Sequence, residues 1–176
     1  VEAVYRVFEE KLMESLSDYA APKPGVADTV AQLREMGLKI GSTTGYTDEM
    51  MSIVVPKAKE LGYEPDCWFS PNAVENYGRP YPYMIFKNME TLGLSDVRAV
   101  IKVGDTVSDI REGIHAGMKT VGIVEGSSVL GLSKGEFDAL TEKEQREQYE
   151  RAEKIYKEAG ADYVIRDIRG LLDIVK

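Results

Sequence analysis

AVIKVGDTVSDIREGIHAGM, Ala99–Met118, is the stretch on which the reading of this chain turns. An apolar run from Val97 to Val103, with Arg98 and Lys102 interspersed, stops abruptly at Gly104-Asp105. Asp109 follows four residues on, at the opening of a helix that Gly117 closes. A strand that ends in glycine and an acid, with a second acid one turn later, suits a metal or a phosphate-linked charge network. Two carboxylates at i and i+4 share a helical face and repel each other unless a cation intervenes. Mg²⁺ accepts one or two carboxylates and keeps several waters, so one direct ligand with a second acid behind it is expected. The plainer alternative makes Asp105 a helix N-cap and Asp109 a surface residue.

Outward from this stretch the chain alternates strands and helices. Val1, Val4, Phe8 and Leu12 recur at helical spacing, and Ala21–Gly25 (APKPG) breaks the chain as a linker. Val26, Val30 and Leu33 form a second helical stripe ending at Gly37. Leu38–Ser42 then reads as a strand running into Thr43-Thr44-Gly45-Tyr46. Thr47 is placed to cap a helix through Met50, Val54, Ala58 and Leu61. Cys67-Trp68-Phe69 reads as a strand, Gly78–Pro82 as a rigid turn, and Ile85, Phe86, Met89 and Leu92 as a helix. Thr120–Val124 is a further strand. Ser133 with Glu136 and Thr141 with Glu144 are capping boxes in a solvent-facing helical region, Lys134–Lys157. Tyr163–Ile165 and Ile168–Val175 close the chain as strand and helix. The pattern predicts an α/β fold, a Rossmann-like mainly parallel sheet with flanking helices.

Composition narrows the function. With 43% hydrophobic residues the 176-residue chain can bury a core, and a net charge of −8 speaks against a nucleic-acid partner. Cys67 stands alone, so no internal disulfide forms and a reducing, cytoplasmic setting is expected. No apolar run reaches the ~18–20 residues of a membrane span. Ligands of open parallel sheets sit beyond the carboxyl ends of the strands. There, Ser42–Gly45 offers hydroxyls and backbone N–H groups at a helix start, against a bland reading of the threonines as caps. Arg79 sits in a proline-braced turn that aims a cation. A hydroxyl, a cation and an acid pair on successive strand ends point to phosphoryl transfer. His115, the only histidine, reads as structural; Trp68, Phe69, Met50, Met51, Met84 and Met89 read as core, and Cys67 as a buried thiol.

Ile40–Met51 (IGSTTGYTDEMM), Gly78–Met89 (GRPYPYMIFKNM), Ile101–Met118 and Thr120–Leu132 (TVGIVEGSSVLGL), in this order, resemble the phosphonoacetaldehyde hydrolases (phosphonatases) of the haloacid dehalogenase superfamily. The resemblance implies hydrolysis of the carbon–phosphorus bond of phosphonoacetaldehyde to acetaldehyde and phosphate, through a Schiff base and an aspartyl-phosphate. It implies Thr44 and Arg79 as catalytic groups, and Thr43, Thr44, Gly45, Tyr46 and Arg79 around the phosphate and substrate. Asp105 becomes the Mg²⁺ ligand, Asp109 the acid behind it, and a homodimer the expected assembly. The family's nucleophile lies in an Asp-x-x-Gly-Thr run, and no such run occurs here; the cap that carries the Schiff-base lysine has no counterpart either. The expected division is therefore 1–20 as the last helix of a cap, 21–25 as linker, and 26–176 as a core lacking its first strand. That strand belongs between Leu38–Ser42 and Val97–Val103. The chain reads as the C-terminal part of a longer protein, its sheet completed by an N-terminal segment or a partner chain. A phosphate-ester phosphatase, or a non-catalytic phosphate- or partner-binding fragment, are the alternatives.

Overall fold

The computed structural model describes Met13 and Ser15–Lys176; the helix expected over Val1–Leu12 lies outside the described residues. In chain order come α1 (Val26–Glu35), β1 (Gly41–Thr43), α2 (Asp48–Glu60), β2 (Cys67–Phe69), α3 (Tyr83–Leu92) and β3 (Ile101–Gly104). Then follow α4 (Val107–His115), β4 (Lys119–Ile123), α5 (Lys134–Asp138), α6 (Glu142–Glu158), β5 (Tyr163–Ile165) and α7 (Leu171–Ile174). This is the parallel α/β architecture that the alternating pattern predicts. No helix among the described residues is long and apolar enough to cross a membrane.

The five strands fall into two parallel sheets. β1 pairs with β2, Gly41 opposite Cys67; β3 pairs with β4 and β4 with β5, in register Ile101–Lys119 and Val121–Tyr163. β1 and β3 share no ladder. Burial follows this division: β4, flanked on both sides, is covered at Thr120, Val121 and Gly122, whereas β3 is only half-buried throughout.

Two strands are shorter than their apolar runs. Leu38–Ile40 stay outside β1, because the Asp66 carboxylate accepts from the Ile40 N–H at 2.6 Å and the ladder starts only at Gly41–Cys67. Val97–Ala99 form a 3₁₀ turn, because Asp96 caps it by accepting from the Arg98 N–H at 2.9 Å. The caps themselves form as expected: Thr47 accepts from Met50 N–H, and both capping boxes close. One apolar cluster, Ile110, Val124, Leu130, Phe137, Ala152 and Tyr156, packs α4 and α6 on the three-stranded sheet. Met51, Met84 and Met89 are buried, while Met50, Trp68 and Phe69 are half-buried.

Candidate active site

The loaded strand ends meet where β1 faces β3. Helix α4 lies close against β3: a Cβ on Gly104 would stand 2.2 Å from Asp109 Cβ, and one on Gly113 would stand 2.8 Å from Lys102 Cβ. Glycine at these two positions is what lets the helix press its acids onto the strand end.

Thr106, not Asp105, caps α4, accepting from the Asp109 N–H at 3.0 Å. Asp105 therefore precedes the helix, and the two aspartates do not share one helical face. Asp109 is almost fully buried; it accepts from Arg79 Nη1 at 2.5 Å and the Thr106 hydroxyl at 2.6 Å, and Lys102 Nζ stands 3.0 Å away as an ion pair. Burial pushes its carboxyl up, but the charges of Lys102 and Arg79 and the bonds from Thr106 and Arg79 outweigh it and hold the group below the usual carboxylate range. Asp105 is open to solvent and pairs with Lys23 Nζ at 2.9 Å; that ammonium also donates to the Gly126 carbonyl at 2.6 Å. Repulsion between the aspartates is relieved by separate protein cations, not by a shared one.

The adjacent threonines part company. The Thr44 hydroxyl oxygen accepts from the Tyr46 N–H at 3.0 Å, and its proton has no acceptor among the described residues. The Thr43 hydroxyl instead donates to Glu112 Oε2 at 2.9 Å and accepts from Lys102 Nζ at 2.7 Å. Alternation along the strand turns it inward, so Thr43 does not stand free for a ligand as expected. Arg79, held by Asp109, brings Nη2 against the turn: a Cβ on Gly45 would lie 3.1 Å from it. The Arg79–Pro80 bond is cis, and His115 Nδ1 lies 2.8 Å from the Pro80 carbonyl oxygen, so the lone histidine secures the turn that carries Arg79. Tyr46 is exposed beside the turn. Gly45, Arg79 and Asp109 thus meet, with Thr44 next to Gly45 in the chain, whereas the described contacts of Asp105 are with Lys23 and Ser128.

Among the described residues no group of three or more acids, histidines or cysteines could hold a metal. Asp105 offers one solvent-accessible carboxylate, here paired with Lys23; it would supply one ligand to a hard cation that uses one or two protein carboxylates. The donor set fits part of a Mg²⁺ site. Cys67 is half-buried, not buried as expected; its thiol lies 3.1 Å from Asn88 Oδ1, and burial pushes its pKa up, which disfavours the reactive thiolate. Lys23, Lys102 and Glu112 escaped the sequence reading. A lysine inside an apolar strand, and a glutamate three residues after Asp109 on the same helix, were the signals available for two of them.

A family model described as haloacid dehalogenase-like hydrolase matches residues 1–117, and a second, HAD-hydrolase-like, matches residues 76–171. The chain belongs to the haloacid dehalogenase-like hydrolases. It is 50% identical over 171 residues to a phosphonoacetaldehyde hydrolase of Lysinibacillus sphaericus, covering 97% of this chain and 64% of that protein. It is 47% identical over 175 residues to a bifunctional phosphonoacetaldehyde hydrolase/aminoethylphosphonate transaminase of Clostridioides difficile, covering 99% of this chain and 27% of that protein. The crystal structure of a phosphonoacetaldehyde hydrolase-like protein from Oleispira antarctica superposes with a TM-score of 0.92 at 33% identity, over 99% of this chain and 63% of that one. The chain thus spans just under two thirds of the length of the phosphonoacetaldehyde hydrolase from L. sphaericus.

Proposed function

We propose that this chain is the phosphate- and Mg²⁺-facing part of an enzyme that hydrolyses the carbon–phosphorus bond of phosphonoacetaldehyde, giving acetaldehyde and phosphate. The observation that carries this reading is an Arg79 held by Asp109 with Nη2 against Gly45, beside a Thr44 hydroxyl whose proton has no acceptor among the described residues, in a chain 50% identical to a phosphonoacetaldehyde hydrolase. Thr44 donates its proton to a phosphoryl oxygen. Arg79 turns Nη2 and Gly45 its N–H toward the same group, donors aimed at developing negative charge. Tyr46 lines the substrate side, and Asp105, released from Lys23, is the residue that would hold Mg²⁺. When bound, Mg²⁺ spreads the charge that develops on the phosphoryl oxygens.

The nucleophilic aspartate and the Schiff-base lysine that this chemistry calls for have no counterpart by motif in the 176 residues. The same reading takes residues 26–176 as a core, 21–25 as linker and 1–20 as the last cap helix. A further parallel strand, from the same protein or a partner, lies between β1 and β3. The half-buried state of β3 and the missing ladder between these edges support it. A cytoplasmic homodimer completes the proposal.

The full-length protein with Mg²⁺ should convert phosphonoacetaldehyde to equal amounts of acetaldehyde and phosphate, and borohydride added with substrate should inactivate it by reducing the imine. Thr44→Val should lower kcat/KM by roughly 10²-fold without moving the thermal midpoint. Cleavage of an ordinary phosphate ester with no acetaldehyde formed would hand the site to a phosphatase. Turnover of neither leaves only phosphate or partner binding.

A further inference from the structure

Behind Thr44 and Arg79 lies a buried charge network that the proposed reaction does not itself call on. Lys102 leaves β3, lies across Gly113 and ends in a cage of three oxygens: Thr43 Oγ1 at 2.7 Å, Glu112 Oε2 at 2.7 Å and Asp109 Oδ1 at 3.0 Å. The ammonium donates to Thr43 and stands within ion-pair distance of both carboxylates, so its charge is met on the protein side. The Lys102 side chain is 10% exposed and Glu112 is fully covered. Glu112 Oε1 is buried with no hydrogen-bond partner among the described residues. A pair kept for stability alone would satisfy both carboxylate oxygens or give way to apolar side chains, since buried ion pairs gain little over well-packed hydrophobic groups.

Arg79, Lys102, Asp109 and Glu112 are two cations and two carboxylates in continuous contact through Asp109 and Lys102. Without Lys102, Arg79 would face an anion with two carboxylates behind it; without Glu112, both cations would act against Asp109 alone. We propose that Lys102 and Glu112 are positioning residues that set the charge balance of the anion site, holding Asp109 under Arg79 and keeping Thr43 turned inward. This rests on the reading that Thr44 and Arg79 receive a phosphoryl group, and it adds what tunes their grip on it.

The test is the affinity of the full-length protein for inorganic phosphate by titration calorimetry at fixed Mg²⁺, on E112Q, K102M and the double variant. Gln keeps the shape of Glu112 and an acceptor for Thr43 while removing one negative charge, so E112Q should bind phosphate more tightly. K102M removes a positive charge and should bind it more weakly. One buried unit charge close to the anion changes affinity about tenfold each way at the effective dielectric of such sites. The double variant, neutral again, should return to within about threefold of the wild type. A purely structural role would weaken both single variants alike, and that result, or an E112Q indistinguishable from wild type, overturns the proposal. Should K102M fail to fold, E112Q and the double variant decide alone, the first tighter and the second restored. If the wild type binds no phosphate, the functional reading falls and takes this inference with it. If it binds and the variants shift in the same sense, only the inference falls.

Discussion

Helices α4 and α6 both set carboxylates within reach of cations, yet the pairs behave differently because of where the helices lie. On α6, Lys143–Glu147 at 3.7 Å and Lys154–Glu158 at 3.8 Å stand in solvent with side chains 60–85% exposed. On α4, Asp109 and Glu112 have almost left the solvent, and Arg79, Lys102, Thr43 and Thr106 close around them. Water and salt screen the first set, and holding two long side chains together consumes most of the gain. The second set is unscreened, so every charge must be met by a partner. The same residue types decorate one helix and dictate geometry on the other.

The inner face of α6 separates burial from charge. Tyr156 is fully covered, donates to the Ile123 carbonyl at 3.0 Å and stacks its ring where only Gly122 leaves room, a Cβ there being 2.7 Å from the ring. It carries no charge at neutral pH, so burial stabilises it as it stands.

Three measurements can break or sharpen this contrast. The largest effect belongs to Asp109→Ala, which leaves Arg79 and Lys102 without their shared carboxylate and should destabilise the fold by about 3–5 kcal/mol in denaturant unfolding. Its pH signature has a definite sign. The folded-state pKa of Asp109 is depressed, so its contribution is present above the ordinary carboxylate value near ~4 and drains away as pH falls through the lower folded value. The variant should lose part of the acid limb of the stability curve; an unchanged limb would mean the network contributes nothing there.

Tyr156 comes next, at the opposite end of the scale. Burial pushes its hydroxyl up to about 12, so the neutral form is favoured in the folded state. That contribution is full below the ordinary tyrosine value near ~10 and is lost as pH rises through about 12, on the order of 2 kcal/mol. Tyr156→Phe should flatten alkaline unfolding between those values, at a cost of about 1 kcal/mol at neutral pH from the lost hydrogen bond. The smallest effect is Lys154→Ala, expected within about 0.5 kcal/mol of the wild type and insensitive to salt beyond that. A larger loss would show that the outer face of α6 does more than stay solvated.

Much of this was legible before any coordinates. The stop at Gly104-Asp105, the capping boxes at Ser133 and Thr141, the Thr47 cap and the strand at Cys67–Phe69 are local signals, each settled within about one helical turn. Other features were not. Val97–Ala99 and Leu38–Ile40 are as apolar as strands, but the carboxylates of Asp96 and Asp66 claim their backbone first. The plainer alternative for Asp105, a helix N-cap, fails because Thr106 takes that position. Strand alternation announces that Thr43 and Thr44 face opposite ways, but not which one turns inward.

Local order, family and the chemistry placed on the strand ends were determined by the sequence alone, because propensity, capping and glycine conformation act between near neighbours. The tertiary structure alone decided that Thr44, unlike Thr43, finds no acceptor among the described residues, and that Asp105 rests on Lys23. It also brought Lys102 and Glu112 together beneath Arg79. Those outcomes depend on which charges are buried side by side, across 59 residues between Lys102 and Thr43 and 69 between Thr43 and Glu112. Burial removes the water that would otherwise let each charge stand alone, and no window along the chain carries that information.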